Sequence, residues 1–377
     1  QKERLGTGHA VKQAAPYLPD TGKTLVLYAD VPLITTASLN KLIKSAQRKK
    51  ISILTSKITK PKGYGRIIRD EKMNPTNIRE EADASTQEKT INEIFTGIMI
   101  AENEFLKNGL KGLVRNNKAG EYYLTDLVEY ASKRKLPIGS TEAKELEVFG
   151  ANNKKELEGL YSAMVALNID AAKKKGTFFK DTSTCYVEGN LKVGKDVSIG
   201  NNVTIKGNVV LGNDVSIGSN VILTNTKIGS NSTIKEFCSI EDSKISENVE
   251  VGPFARLRNG AVLDNSAKIG NFVEVKKSRI GQNAKANHHA YIGDADIGKK
   301  SNIGAGTITC NYDGENKHKT KIGDSVFIGS NSSLVAPLKV GKNSYVAAGS
   351  VVTSDVPAGS LAFGRAKQKN KINWKKK

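Results

Sequence analysis

From about residue 187 onward an aliphatic residue returns at every sixth position. Val193, Ile199, Ile205, Leu211 and Ile217 open the series. After one-residue slips it resumes at Ile228, Ile234 and Ile240, then runs from Ile245 through Val251, Leu257, Leu263 and Ile269 to Val275. It returns at Ile297 and Ile303, and again from Ile322 through Ile328, Leu334, Val340 and Val346 to Val352. Gly often follows the aliphatic residue, as in "LGNDVSIGSN". Neither the helical period of 3.6 nor the strand period of 2 produces this spacing. A parallel β-helix does. One aliphatic side chain per short strand points inward, and Gly, Asn and Asp take corners that need positive φ. The pattern predicts a hexapeptide-repeat β-helix over 177–365 and a basic tail over 366–377. Residues 310–321, "CNYDGENKHKTK", interrupt the ladder. A polar loop on a rigid repeat serves no packing purpose, and such loops commonly carry function.

The front of the chain is patterned differently. "TLVLYADVPLI" (24–34) and "ISILTSKI" (51–58) are predicted as buried strands. "SLNKLIKSAQRK" (38–49) and "YYLTDLVEYASKRK" (122–135) are predicted as helices. The alternation implies an α/β domain over 1–152. Residues 153–176 are predicted as a linker helix, with Leu157, Leu160, Tyr161 and Met164 along one face.

Composition adds a repetitive β architecture with tight corners: 35 Gly and only 6% aromatics in 377 residues. The net charge of +20 points to an anionic partner, whether nucleic acid, anionic lipid or a phosphorylated small molecule. Much of the excess lies in Lys runs at 46–50, 171–176 and 367–377, which pattern as solvated faces. No aromatic-basic RNA-binding motif occurs, so nucleic acid is disfavoured. Cys185, Cys238 and Cys310 are far apart and odd in number. That argues against a disulfide framework or zinc ribbon and for a reducing compartment, the cytoplasm. Neither an apolar run of about 18 residues nor a signal peptide is present, so no membrane partner is expected. The chain opens without Met, on "QKERLGTGHA", as a fragment would.

Candidate chemistry begins with "ANHHAY" (286–291), which holds two of the four histidines. By itself the pair fits a general base, half a metal site or a packing accident. Adjacent residues on a strand face opposite ways, and no third ligand is near in sequence, which disfavours the metal. In the front half, Asp30 falls at the C-terminal end of a predicted strand, where open α/β sheets hold ligands and metals. "GTGHA" (6–10) is a Gly-rich turn leading into a helix, the form of a phosphate or base cradle.

The order of motifs says more than any one of them. "LGTGHAV", "YADVPLI", "GYGRI", "GEYYLTD" and "ANN" are followed by "GPFARLR", "IGNFVEVKK" and "IGAGTITCNYDG" on the hexapeptide ladder. This series resembles the bacterial family of bifunctional N-acetylglucosamine-1-phosphate uridyltransferase/glucosamine-1-phosphate N-acetyltransferase, over essentially the whole chain. The resemblance implies a Rossmann-like nucleotidyltransferase domain, truncated at its front, followed by a left-handed parallel β-helix. The handedness comes from the resemblance and runs against the usual crossover rule. It implies acetyl transfer from acetyl-CoA to the amine of glucosamine 1-phosphate. It further implies Mg²⁺-dependent uridylyl transfer from UTP to N-acetylglucosamine 1-phosphate.

Residue roles follow from the same resemblance. The attacking amine is mostly protonated at neutral pH, so a base helps, and His288 aligns with the family's base. His289 falls where the family has no catalytic residue. Arg258 and Lys276 match phosphate-binding positions, and Tyr291 and Asn302 match sugar-binding ones. The Ala305 backbone N–H matches an oxyanion-type contact to the acetyl carbonyl. Asn311, Tyr312, Ser330 and Ala348 match the acetyl-CoA site, and Arg365 the CoA phosphates. Lys317, grouped with the acetyl-CoA contacts, falls where the family uses a lysine from a neighbouring subunit, in a homotrimer with sites between subunits. In the front half Gln1, Gly6 and Thr7 match uracil contacts. Tyr28, Gly65 and Glu80 match substrate contacts, and Asp30 and Asn152 match Mg²⁺ ligands, for which hard oxygen donors suit. Three residues depart from the family. Ala29 adds a methyl where Gly stands, Phe95 replaces an amide, and Phe149 replaces a polar residue. With the opening nucleotide loop lying before Gln1, they imply an impaired uridyltransferase half. Two alternatives stay open: a hexapeptide acyltransferase with another sugar acceptor, and a non-catalytic basic solenoid scaffold.

Overall fold

In the computed structural model, which describes residues 3–372 and Trp374, the six-residue ladder winds into a parallel coil. Gln1 lies outside the described residues. Equivalent residues stack directly from turn to turn. Ile199 pairs with Ile217, Ile217 with Ile234, Ile234 with Val251 and Val251 with Ile269, all in parallel register. Leu223, Ile240, Leu257 and Val275 form a second inward column, and Ile228, Ile245, Leu263 and Ile280 a third. All are buried. Each coil therefore contributes one aliphatic side chain per face, which is why the sequence period is six. The corners take positive φ, mostly at Asn and Asp, as at Asp196, Asn202, Asp214 and Asn220. Phe237, Phe254, Phe272 and His289 also adopt it, which is unusual for rings. Their rings stack outside the coil, with centroids 4.8, 5.2 and 5.0 Å apart. Stacking worth about 0.5–1.5 kcal/mol per pair helps offset the backbone strain.

The chain divides into two compact units, the first up to Ser162 and the second from Ala163 on. The first unit comprises α1 (Thr7–Ala14), β1 (Lys23–Val26), α2 (Thr36–Ser45), β2 (Ile51–Lys57), β3 (Arg66–Arg69), β4 (Pro75–Arg79), β5 (Glu93–Glu102), α3 (Asn103–Lys111), α4 (Asp126–Lys133) and β6 (Ile138–Glu142). The sheet runs β4-β3-β5-β2-β6, with β1 also paired to β5. Only β2 and β6 are parallel. One face packs Ile53, Phe95 and Met99 against Leu106 and Leu110 of α3 and Leu127 of α4. The other packs Leu54, Ile94 and Ile98 with Leu42 of α2 and Val148. The sheet is thus buried on both sides.

Several sequence expectations change here. The predicted strand over 24–34 is only the half-buried β1, and it ends before Tyr28 and Asp30. It pairs antiparallel with β5, Lys23 opposite Glu102, so its apolar run reflects one packed face and not full burial. The central strand, β5, shows no simple period: its eight consecutive buried residues mark a strand covered on both faces, but Thr96 and Gly97 break their apolar run. The helix after the first unit's sheet, α5 (Lys154–Lys173), keeps part of the expected face: Leu160 is buried and Met164 packs against the β-helix core. Val165, Ile169 and Ala172 join the β-helix core, while Leu157 and Tyr161 are exposed. Among the described residues no helix is long and apolar enough to cross a membrane. The three cysteines are free, and burial pushes the Cys238 thiol up to about 11, which makes it inert.

Candidate active sites

His288 ends the strand Lys285–His288, whose neighbour on the preceding coil is Lys268–Asn271. Asn271 lies opposite His288 in register, and its Oδ1 is 2.6 Å from His288 Nδ1. The rest of the ring is exposed. On the following coil Gly306 N–H donates to the His288 carbonyl at 3.3 Å. The turn Gly304–Gly306 is thereby set beside His288. Among the described residues, the Ala305 N–H in that turn has no hydrogen-bond partner. His289 turns the other way, at φ 46°, with its ring on Phe272 and its N–H on the Asn271 carbonyl. It is the last ring of the external stack, which explains the pair: one histidine is free for chemistry and the other packs.

The anion-binding candidates lie on the stacked strands Arg256–Arg258 and Glu274–Lys276. Arg258 and Lys276 are directly opposite each other on adjacent coils, and Lys276 is opposite Gly293 on the next. Lys276 is only 7% exposed. Its ammonium lies 3.4 Å from Asp294, and Lys277 reaches the same carboxylate at 3.9 Å. The inserted loop covers this corner. Asn311 is buried and donates its amide to Asp294 at 2.5 Å, and Tyr312 bridges back to Lys317. Asp313 tightens the loop by accepting from the N–H groups of Glu315 and Asn316 and by pairing with His318, which holds its carboxyl below the ordinary range. Lys317 lands beside Lys276 of the same chain. The contact to Lys317, then the charge of Asp294, raise the Lys276 pKa, while Lys276 pushes that of Lys317 down. A dianion placed between them would relieve that repulsion. Arg258 is engaged by Glu274 at 2.6 Å.

Tyr291 lies opposite Glu274 and leans over Gly293, where an added Cβ would come 2.5 Å from its hydroxyl. Glu274 to Lys276 is a span of about 7 Å along the strand, the scale of a sugar phosphate. Asn302 lies on the same face as Lys285, one coil beyond His288. Ala305, Ser330 and Ala348 fall on successive coils: Asn331 N–H donates to the Ala305 carbonyl and Gly349 N–H to that of Ser330. These small residues line up along the coil axis, stepping about 4.8 Å per coil. Arg365 is exposed at the end of the last coil, next to Gly364, whose carbonyl accepts from Val351 N–H. Two candidates are already engaged within the chain. Asn311 is committed to Asp294, and the Tyr312 hydroxyl donates to the Gly314 carbonyl.

In the first unit the Gly-rich turn and "GEYYLTD" are one structure. Gly8 N–H donates to the Tyr122 carbonyl and Tyr122 N–H to that of Leu5, each at 2.8 Å, and Leu124 N–H reaches Thr7 Oγ1 at 3.1 Å. Gly6, at φ 101°, admits no Cβ because the Tyr122 carbonyl would lie 2.7 Å away. Tyr28 hydrogen-bonds Thr7, and its ring lies on Gly97, where a Cβ would come within 2.4 Å. Burial, reinforced by Glu80 and Asp30, pushes its hydroxyl up to about 12. Gly65 lies against Glu80, with an added Cβ 3.4 Å from Oε2. Burial raises the Glu80 carboxyl, and Thr125 partly compensates with a 2.9 Å hydrogen bond.

Asp30 accepts from Ala151 N–H at 3.1 Å, and its carboxylate faces Gly150. Asn152 gives its side-chain and backbone N–H groups to Glu156, leaving its Oδ1 available. A carboxylate and an amide oxygen fit Mg²⁺, which takes few protein ligands and completes its shell with substrate phosphates and water. Among the described residues no cluster of three His, Cys, Asp or Glu forms a dedicated metal cage. Phe95 packs inward. Its ring is 5% exposed and belongs to the core with Ile67, Ile78 and Met99. Sequence reasoning missed Tyr64, whose hydroxyl meets Gly150 and is raised by burial, and also missed Thr125. Both sit inside quoted motifs, which was the available signal.

The nucleotidyl transferase family matches residues 1–146, the GMPPB C-terminal domain family residues 182–271, and the bacterial transferase hexapeptide family residues 319–354. The bifunctional protein GlmU of Acinetobacter baylyi is 47% identical over 377 residues, covering 100% of this chain and 83% of the relative. That of Idiomarina loihiensis is 46% identical with the same coverage. The solved UDP-N-acetylglucosamine acyltransferase of Arabidopsis aligns over 48% of this chain and 70% of its own, at 21% identity and a TM-score of 0.43. With a nucleotidyltransferase domain ahead of a hexapeptide β-helix and this identity along its whole length, the chain belongs to the GlmU family of bifunctional acetyltransferase/uridyltransferases.

Proposed function

We propose that His288 acts as the general base of acetyl transfer from acetyl-CoA to glucosamine 1-phosphate. The free imidazole nitrogen takes a proton from the amine as nitrogen attacks the thioester carbonyl. The tetrahedral intermediate then collapses, the C–S bond breaks, and the imidazolium returns its proton to the CoA sulfur, which leaves as the thiol. Ala305 N–H stabilises the oxyanion, a task that calls for a preorganised, otherwise unused donor. Arg258, Lys276 and Lys317 bind the sugar phosphate, and Tyr291 and Asn302 hold the ring. The row of small residues at Ser330 and Ala348 takes the pantetheine arm, with Asn311 and Tyr312 on its loop side and Arg365 at the CoA phosphates. The assembly is a homotrimer, in which Lys317 also reaches a neighbouring subunit's site. The observation that carries this reading is the unpaired Ala305 N–H one coil from a histidine whose Nδ1 is already engaged.

In the first unit Gly6 and Thr7 cradle the base of UTP, with Gln1 preceding them. Tyr28, Gly65 and Glu80 hold N-acetylglucosamine 1-phosphate, and Asp30 with Asn152 holds Mg²⁺. When bound, Mg²⁺ would neutralise charge on the reacting phosphates.

Free thiol released from acetyl-CoA with glucosamine 1-phosphate tests the first reading. His288→Ala should lower the rate about 10²–10⁴-fold, the scale of a positioned base. His289→Ala should leave most of it. Equal loss from both would sink the assignment. Pyrophosphate release tests the second. Asp30→Asn should abolish it and spare thiol release, and intact pyrophosphate release would exclude Asp30 as the ligand.

A further inference from the structure

We propose that Asn271 is a positioning residue that sets the protonation geometry of His288. The inference rests on the assignment of His288 as base and adds what makes that base usable. A neutral imidazole carries one N–H and one lone pair, and which nitrogen has which is set by its neighbours. The Asn271 Oδ1, 2.6 Å from Nδ1, can only accept. It therefore holds the proton on Nδ1 and leaves the Nε2 lone pair, at the exposed end of the ring, for the substrate amine.

The placement is built into the coil. Asn271 and His288 are register partners at the ends of neighbouring strands. The Asn271 carbonyl accepts the His289 N–H at 3.1 Å, and Phe272 carries the His289 ring. Gly306 holds the His288 carbonyl from the other side. Backbone and Nδ1 are thus fixed from two coils while Nε2 stays free. An uncharged amide suits this task. It selects the tautomer without the negative charge that would stabilise the imidazolium and slow proton return to the leaving thiolate.

Long-range ¹⁵N NMR of ¹⁵N-imidazole-labelled full-length chain reads the tautomer directly, with the His288 signal identified by its absence in His288→Gln. The expected result is Nδ1–H in the parent. Asn271→Ala should move it toward Nε2–H and lower kcat roughly tenfold to a hundredfold, the scale at which outer partners of working histidines act, with both KM values little changed. Asn271→Asp keeps an acceptor, so it should retain Nδ1–H, recover most of kcat and move the acid limb of the pH–rate profile upward. An Nε2–H ring in the parent, or an Asn271→Ala chain with unchanged tautomer and kcat, would overturn the proposal. Should Asn271→Ala not fold, the parent tautomer and the Asn271→Asp profile still decide. Full activity of His288→Gln would instead remove the base assignment, and the tautomer result would stand apart from it.

Discussion

The two units solve the same problem, holding polar site residues on an apolar support, by opposite routes. In the β-helix each partner lies one coil away in sequence: Leu257 meets Val275, Arg258 meets Lys276, Asn271 meets His288. Such a solenoid is nearly one-dimensional, and its core and site repeat by translation. In the first unit the partners are far apart in the chain. Thr7 holds Leu124 across 117 residues, and Asp30 holds Ala151. Its site exists only once a mixed sheet has closed around β5. Spacing therefore reveals a regular support but not a closed sheet, and the site residues of both units are read through motif order.

Three substitutions probe that contrast, beginning with the largest effect. Phe95→Asn removes a core ring and buries an amide without a partner, at a cost of about 3–5 kcal/mol. Denaturant melts should show the first unit unfolding early, with pyrophosphate release lost and thiol release kept. Stable protein with improved uridylyl transfer would show that Phe95 faces substrate after all. Leu257, fully buried, should cost about 2–5 kcal/mol when changed to Ala. Hydrogen exchange should accelerate only in coils adjoining the strand Arg256–Arg258. Loss of protection along the whole solenoid would break the one-dimensional picture.

The smallest effect concerns Asp126, at the start of α4. Burial, then the charge of Glu129, raises its carboxyl to about 6 from 3.8. Between those values the folded state keeps a proton that the unfolded chain has lost. Stability therefore falls as pH rises through that window, and the penalty is complete above it. Asp126→Asn should raise the melting temperature at pH 7.5 and have no effect near pH 4. The side chain is only half-buried, so solvent screens much of the penalty. A gain of roughly 1–3 °C is expected, where 1 kcal/mol moves a domain of this size by about 2–4 °C. A pH-independent gain would mean that helix capping, not ionisation, is responsible.

The hexapeptide spacing alone determined the coil, its inward columns and its interrupting loop, because each aliphatic residue meets its equivalent at a constant offset. Motif order alone determined the family and most candidate positions. Motif order, not spacing, assigned the base to His288 over His289, and the structure adds the reason: Phe272 stacks the ring of His289 while Asn271 engages that of His288. Neither could place Lys317 beside Lys276, turn Phe95 into a core residue or make β5 the sheet's centre. Those outcomes depend on side-chain direction and on pairings between distant segments. A local pattern records which residues are buried, while only the closed tertiary structure decides what they are buried against.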